Sequence, residues 1–472
     1  MASPITTDVA QGHRYGTRQQ SKNKKRFPLQ RSQALVNSLP DELLCEILKM
    51  TIGGTPYGHR VRKYALINVC YHWRDIILNT PKFWSFIRLD WSKSLVEAHV
   101  KRSCQCPLDI VLDGSHHLLR MATSDIDVVL NVLIPTAHRW NTLTIEERFP
   151  HALSILNKLD STVFPILTSL SISQLSTSKS DPRPPRLLSP KNLPMLKDLT
   201  LWGVPVTSDF QIPPTLERLT LFLRSAFRLN TWLPVLSRLK ALSLDGNTEY
   251  LPLQPDSIHL PLLARFTCSV TQAEPFLQAL LAPNLTHVVY VQSSCESLLH
   301  TFNRTRPKWK SVRELTLPVS KNVRVAPDYS SGLSCLCLVT SEIRGVEVMD
   351  YVLNDLLDVS FDPCPIDQWE CLERVAIVSS VCRFKSMMQK IVPWLERRKN
   401  TGKPRLKLGF SLKQDRIVKL NEALFEEIGK FCDEVDFRID ERIAPLMPGY
   451  TLCAVSDGSL QTLSDYDWSL PV

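Results

Sequence analysis

The chain has 472 residues, of which 44% are apolar and 22% are charged, which is the composition of a globular protein. Its length predicts two or three domains or one extended repeat array. Much of the net charge of +9 lies in the first 33 residues, which carry seven basic side chains and one acidic one. The rest of the chain is nearly neutral, which argues against a nucleic-acid partner.

Features that the sequence lacks exclude several other classes of protein. The sequence contains no run of about 18 apolar residues, so no membrane span is predicted. The N-terminus has no apolar signal-peptide core. We therefore expect a cytoplasmic or nuclear location and no membrane partner. Glycine is scarce, with 15 of 472 residues, and the sequence contains no Gly-rich phosphate loop and no nucleophile elbow. The thirteen cysteines are expected to be reduced, because several lie inside apolar runs.

Residues 1–33 are predicted to form a disordered basic tail. The densest basic run in this tail is "SKNKKRFPLQR". Such a run is either a nuclear-import signal or a solvated charged segment with no import role. The candidate import residues are Lys22, Lys24, Lys25 and Arg26.

Residues 34–92 are predicted to form a small helical domain that begins at "LPDELLCEIL" (39–48). Pro40 suits a first helical turn, and the two acidic residues after it favour the positive end of a helix. Helical spacing then gives two apolar stripes, with Leu39, Leu43 and Ile47 in one and Leu44 and Leu48 beside it. A helix with two apolar faces predicts two packing partners.

The rest of this domain is predicted from periodicity and turn residues. A loop at 53–58 ends the first helix, and a second helix is expected over 62–78. Residues 79–91 predict a turn followed by a strand or a short helix. Residues 93–139 are expected to be a linking segment of helix and strand.

A leucine pattern recurs from residue 140 onward, as in "LKDLTL" (196–201) and "LERLTL" (216–221). Most copies of this LxxLxL-like unit are 20 to 29 residues apart, which is the spacing of leucine-rich repeats. One strand cannot bury its leucines alone, so we expect the units to stack in parallel as an irregular α/β solenoid over 140–442. The middle positions of the ten copies are Leu143, Leu170, Leu199, Leu219, Leu242, Phe266, Val288, Leu315, Leu336 and Val375.

The array has an interruption and an irregular end. Residues 176–192 predict an inserted loop rich in proline and serine. The last two units are expected to be helix–strand pairs, at 384–399 with 405–410 and at 420–432 with 434–439. Residues 443–472 form an apolar and acidic tail that the pattern does not assign.

The stretch 38–92 resembles the F-box domain, and the chain is most similar to the F-box leucine-rich proteins that are abundant in mushroom-forming fungi. The resemblance rests on "LPDELLCEIL" and on "INVCYHWRDIILNTPKFWSFIRL" (67–89), and it extends more loosely through 98–112 and 133–145. The sequence departs from the family at "TIGGTPYGHRVRKY" (51–64), whose glycine and tyrosine content is unusual.

In that family, one stripe of the first helix packs inside a three-helix F-box, and the other docks on a small adaptor that joins the chain to a cullin. The resemblance therefore implies an α+β multidomain protein, with an F-box followed by the solenoid. Its implied role is that of a non-catalytic substrate-recognition subunit of an SCF-type ubiquitin ligase, which acts by proximity and needs no cofactor. The adaptor-facing or F-box-forming residues that it indicates are Leu39, Pro40, Leu43, Ile47, Val69, Trp73 and Trp84.

In the predicted register, residues between the inward leucines face the concave side of the array, where a protein substrate can bind. A row of hydroxyl residues from Thr144 to Thr316 reflects either strand propensity or a polar floor for a peptide. A second row places two aromatic residues side by side, which is typical of binding anchors. The predicted substrate-binding residues are Trp202, Phe222, Arg218, Arg265 and His287, the last two without an obvious partner in their row.

No metal site is expected. A zinc site built from cysteine and histidine is set aside, because Cys104 and Cys106 lack the spacing of a zinc knuckle; the histidines considered with them are His99, His116 and His117. Two alternatives to a ligase subunit remain. One is an interaction scaffold whose F-box-like helices bind no adaptor. The other is a leucine-rich binding module that acts in the nucleus through its basic tail.

Overall fold

A computed structural model describes most of the chain, in two units that are treated separately, Met1–Ile77 and Leu78–Val472. The segments predicted as the basic tail (1–33), residues 34–38 and most of the predicted inserted loop at 176–192 lie outside the described residues. The described ranges are 39–52, 56–112, 123–145, 152–173, 188–202, 212–223, 233–246, 253–270, 273–290, 310–318, 332–339, 353, 356–357, 364–379, 384–412, 428–439, 454–456 and 459–461.

The first unit is helical, with α1 at Asp41–Ile52, α2 at Pro56–Ile67 and α3 at Tyr71–Asn79, which ends just past the boundary between the units. The single helix predicted over 62–78 is therefore wrong, because the chain turns at residues 68–70. The Asn68 side-chain amide donates to the carbonyl oxygen of Tyr64 at 2.9 Å. Periodicity does not detect such a break, since an asparagine side chain competes locally for the backbone.

The second unit contains a large parallel sheet. Its described helices are α4 Lys93–Arg102, α5 Thr123–Leu133, α6 Ala152–Leu159, α7 Glu274–Ala279 and α8 Phe384–Asn400. Its strands are β1 Phe86–Arg88, β2 Leu108–Leu112, β3 Trp140–Ile145, β4 Ser169–Ser173, β5 Asp198–Trp202, β6 Arg218–Leu223, β7 Ala241–Gly246, β8 Ile258–His259, β9 Arg265–Val270, β10 Leu280–Leu281, β11 His287–Tyr290, β12 Glu314–Pro318, β13 Cys335–Val339, β14 Arg374–Ser379, β15 Leu406–Leu412, β16 Cys432–Ile439, β17 Ala454–Ser456 and β18 Ser459–Gln461.

Fourteen of these strands form one sheet in chain order, from β1 to β16 with β8 and β10 left out. The ten predicted middle positions, from Leu143 to Val375, lie directly opposite one another along this sheet. The predicted strand register is thus confirmed. The side chains at these positions are buried, as are the leucines before and after them in the clearest copies, such as Leu196 and Leu201.

The sheet begins earlier than the sequence pattern predicts. Strands β1 and β2 precede Trp140 and pair in parallel with each other, and β2 pairs with β3. Residues 93–139, expected to be a linking segment, therefore supply a strand of the sheet, and the predicted boundary at residue 92 falls inside the second unit. A strand of three residues is too short for hydrophobic periodicity to identify.

Two small sheets accompany the large one. Strands β8 and β10 pair in parallel, and β17 and β18 pair antiparallel within the tail that the pattern did not assign. Among the described helices, none is long and apolar enough to cross a membrane.

Candidate functional site

Helix α1 carries two apolar stripes, and they differ in exposure. Leu44, Leu48 and Ile52 are buried. Leu43 is 54% exposed and Ile47 is 41% exposed. The prediction of two apolar faces is confirmed, and one of the two faces is open in this chain.

The open stripe of α1 is one part of a larger set of exposed apolar side chains in the helical unit. Leu39 is half-buried and Pro40 is exposed at the start of the helix. Helix α2 and the turn that follows it add aromatic and β-branched side chains. We call the exposed set the apolar patch of the helical unit: Leu43, Ile47, Met50, Val61, Tyr64, Val69 and Tyr71.

The two tryptophans indicated as adaptor-facing or F-box-forming are not exposed. Trp73 is half-buried in α3. Trp84 is only 1% exposed and lies in the second unit. The centroid of its ring lies 4.9 Å from that of the His99 ring, and the Arg102 guanidinium lies 4.3 Å from the same centroid. Trp84 is therefore a core residue, and its burial excludes the adaptor-facing one of the two roles.

His99, considered above as a metal ligand, has a structural role. It is buried, and its Nδ1 lies 3.1 Å from the carbonyl oxygen of Phe86 and 3.2 Å from that of Trp84. Because a carbonyl oxygen only accepts, Nδ1 donates to them. Across the described residues, no group of three or more His, Cys, Asp or Glu side chains could hold a metal ion.

The outward face of the large sheet carries the rows that the register predicts. The hydroxyl row, defined by its first six members, is half-buried throughout: Thr144, Ser171, Thr200, Thr220, Ser243 and Thr267. Farther along the same row, Val289 and Thr316 are buried. The part of the row on β3 to β9 thus faces a more open surface than the part on β11 and β12.

A second row lies at the carboxyl ends of β4 to β9, and we call it the aromatic row: Ser173, Trp202, Phe222, Asp245 and Ser269. The Trp202 and Phe222 rings stack with centroids 4.5 Å apart and planes at 23°. Both side chains are half-buried rather than fully exposed. The predicted neighbour relation is confirmed, and the two rings form one stacked aromatic surface.

A third row lies at the first residues of β5, β6, β7, β9, β11 and β12, and we call it the charged row: Asp198, Arg218, Ala241, Arg265, His287 and Glu314. Arg218 pairs with Asp198 through both carboxylate oxygens. His287, predicted to have no partner, has one: its Nε2 lies 3.1 Å from Glu314 Oε1. That contact lowers the pKa of Glu314. Arg265 faces His287 and Ala241 in the register.

Two polar arrangements in the second unit were not predicted from the sequence. One is a ladder one residue before the charged row, in which Glu217 lies 2.8 Å from Lys240 and 4.0 Å from Lys197. The other is a buried cluster in which Asp367 accepts from Arg398 and from the Trp394 indole. The ladder could have been found from the sequence, because Lys197, Glu217 and Lys240 each directly precede a predicted strand. No local sequence pattern joins residues 367, 394 and 398.

The thiols agree with the expectation of reduced cysteines as far as the structure describes them. Ten cysteines fall in the described ranges, and none of these ten is in a disulfide. Cys268 and Cys337 are buried, and burial raises the pKa of each thiol to about 12. The import candidates Lys22, Lys24, Lys25 and Arg26 lie outside the described residues.

Comparison with known proteins adds no assignment to this geometry. The sequence matches no model of a protein family, and it matches no curated protein.

Proposed function

We propose that this chain is the substrate-recognition subunit of an SCF-type cullin-RING ubiquitin ligase. The helical unit serves as the F-box and binds the cullin adaptor. The parallel sheet serves as a leucine-rich-repeat solenoid that binds a protein substrate on its outward face. The chain itself supplies no catalytic residue.

The observation that carries the proposal is the open stripe of α1. Leu43 and Ile47 lie on the solvent side of a helix that already has a complete buried stripe. Contiguous exposed apolar side chains of this kind mark protein-binding surfaces in soluble proteins. The "LPDELLCEIL" resemblance gives the occupant, since the same helix in F-box proteins docks on the adaptor.

The other exposed apolar side chains of the helical unit also favour a protein partner. Met50 lies one turn after Ile47 on α1 and is 81% exposed, and Val69 and Tyr71 are exposed as well. Aromatic residues and methionine are enriched in the centres of protein interfaces. An apolar helix stripe of this kind suits a groove as its partner.

The sheet supports the second half of the proposal by its chemistry. Its outward face presents hydroxyl, charged and aromatic side chains on a rigid parallel array. Such a face can hold a substrate by hydrogen bonds, by charge and by one aromatic anchor. Holding the substrate near a charged conjugating enzyme raises the effective concentration of its lysines, and that proximity is the whole catalytic contribution.

The test is capture of the purified cullin adaptor by the full chain, with Kd measured by titration. We compare the double variant Leu43→Ala, Ile47→Ala with a matched double variant on the same helix, Glu42→Ala, Glu46→Ala. Removing two apolar interface side chains is expected to cost about 2 kcal/mol or more, roughly thirtyfold in Kd. The acidic-to-alanine control is expected to bind within a few-fold of wild type.

A well-folded chain that does not bind the adaptor contradicts the ligase proposal. The remaining interpretation is then a leucine-rich interaction scaffold outside any ligase. Equal losses in the two double variants also contradict the proposal, because they show a general effect on α1 rather than an apolar contact.

A further inference from the structure

Asp245 lies at the carboxyl end of β7 in the aromatic row, opposite Phe222 on β6 and Ser269 on β9. Its Oδ1 accepts the backbone N–H of Gly246 at 2.6 Å, and the Ser269 side chain also hydrogen-bonds to it. Gly246 has a φ of 108°, a conformation that glycine adopts far more readily than other residues. The turn therefore fixes the carboxylate in position before any ligand arrives.

The charge of Asp245 is not matched by a basic side chain in the part of the chain that the structure describes. The ion pairs of the charged row belong to Asp198 and Glu314. Burial raises the pKa of Asp245, and the hydrogen bonds from Gly246 and Ser269 oppose that rise. A partly desolvated carboxylate that accepts hydrogen bonds from neutral donors gains free energy when a ligand supplies a cation.

The stacked rings stand next to this carboxylate. Phe222 is the direct neighbour of Asp245 in the register, and Trp202 stacks on Phe222. The two stacked rings therefore form an aromatic wall on one side of the Asp245 carboxylate. An aromatic surface beside a carboxylate matches the side chains of arginine and lysine, which combine an aliphatic stem with a cationic head.

We propose that Asp245, Phe222 and Trp202 form a docking site for an arginine or lysine side chain of the protein substrate. The cationic head pairs with the Asp245 carboxylate, and the stem packs against the aromatic wall. The segment that carries this side chain lies across the carboxyl ends of β5 to β9. This inference rests on the proposed function, because it takes the outward face as the substrate surface, but it does not involve the adaptor contact.

The test is a selection from random dodecapeptides displayed on phage, with the immobilised full chain as bait. The variants are Asp245→Asn and a control, Glu373→Gln, which removes the same charge at an exposed position before β14. Wild type and control are expected to enrich peptides with Arg or Lys at one fixed position. The best such peptide, resynthesised, is expected to bind Asp245→Asn at least about tenfold more weakly.

The proposal is overturned if no peptide is enriched, if the enriched peptides share no basic residue, or if they bind Asp245→Asn as tightly as wild type. Should Asp245→Asn lose its native circular-dichroism spectrum, Ser269→Ala replaces it. That variant keeps the charge but removes one of the two hydrogen bonds that hold the carboxylate, and it is expected to weaken binding of the basic peptide a few-fold; unchanged binding also overturns the proposal.

Adaptor capture by the same proteins separates the two proposals. A wild-type chain that selects basic peptides but does not capture adaptor contradicts the ligase function and leaves this site in place. A chain that captures adaptor but selects no basic peptide contradicts this site alone.

Discussion

The helical unit and the sheet unit use their apolar side chains differently. The described part of the helical unit, 39–52 and 56–77, exposes seven large apolar side chains, and the much longer described part of the second unit exposes the same number. In the sheet, inward positions such as Leu199 are buried, while outward positions such as Thr200 are mostly polar and half-buried. Apolar residues are thus far denser on the surface of the smaller unit.

This difference indicates two kinds of contact with other proteins. An apolar stripe left open on a short helix gains free energy mainly by burial against a preformed partner. A polar outward face selects its partner by hydrogen bonds and charge, and gains less from area alone. The proposed adaptor contact is of the first kind, and the proposed substrate contact is of the second.

The largest effect on stability is expected in the buried cluster of the second unit. Replacing Asp367 with Asn leaves the Arg398 guanidinium buried without its counter-charge. Breaking a buried pair in this way is expected to lower the free energy of unfolding by about 3–5 kcal/mol. Urea denaturation measures this loss. Asp198→Asn breaks a half-exposed ion pair and is expected to cost less than about 1 kcal/mol. Equal costs in the two variants would contradict the expectation that the buried pair contributes more to stability than the half-exposed one.

The comparison of apolar positions predicts the next largest effect. Leu199→Ala removes a buried side chain from the middle of β5 and is expected to cost about 2–5 kcal/mol. Leu43→Ala removes an exposed side chain and is expected to change stability by about 0.5 kcal/mol or less. Thermal or urea unfolding of both variants gives the result. A large loss of stability in Leu43→Ala would show that the Leu43 stripe packs inside the protein. The contrast between the exposed apolar side chains of the helical unit and the buried ones of the sheet would then be wrong.

The smallest effect concerns the ladder of Glu217, Lys240 and Lys197, one residue before the charged row. The hydrogen bond from Lys240 holds the pKa of Glu217 below its usual value. A carboxyl with a lowered folded-state pKa stabilises the protein above its unfolded-state pKa, and this contribution is lost as the pH falls toward the folded-state value. Glu217→Gln is therefore expected to reduce slightly the acid-induced loss of stability. Unfolding curves at neutral and acidic pH test this, and an unchanged pH dependence would contradict it.

The repeating part of the fold was predictable because each strand repeats one local pattern. The leucines at 199, 219 and 242 were placed in register from sequence, and the pairing agrees. From that register, the neighbour relation of Trp202 and Phe222 also followed. A strand whose side chains alternate between core and surface fixes its own register, because a shift of one residue would expose every leucine.

The parts that escaped prediction depend on contacts between distant residues or on short segments. Strand β1 has three residues, and the sequence left open whether Trp84 before it faces the adaptor or helps to form the F-box; its contacts with His99 and Arg102 place it in a core. The Asp367–Arg398 pair joins residues 31 positions apart. The register placed Asp245 between Phe222 and Ser269, but it did not predict the hydrogen bonds that Gly246 and Ser269 donate to its carboxylate. Hydrophobic periodicity contains none of this information.

The most direct test of the central claim is hydroxyl-radical footprinting of the full chain with and without the purified adaptor. If the open stripe of α1 binds the adaptor, oxidation of Met50 and Tyr71, which are 81% and 86% exposed in the free chain, is expected to fall on complex formation. Oxidation of Met195, 51% exposed on the second unit, is expected to stay unchanged. An adaptor that leaves Met50 and Tyr71 equally reactive, or that protects Met195 instead, would contradict the claim that this helix is the docking surface.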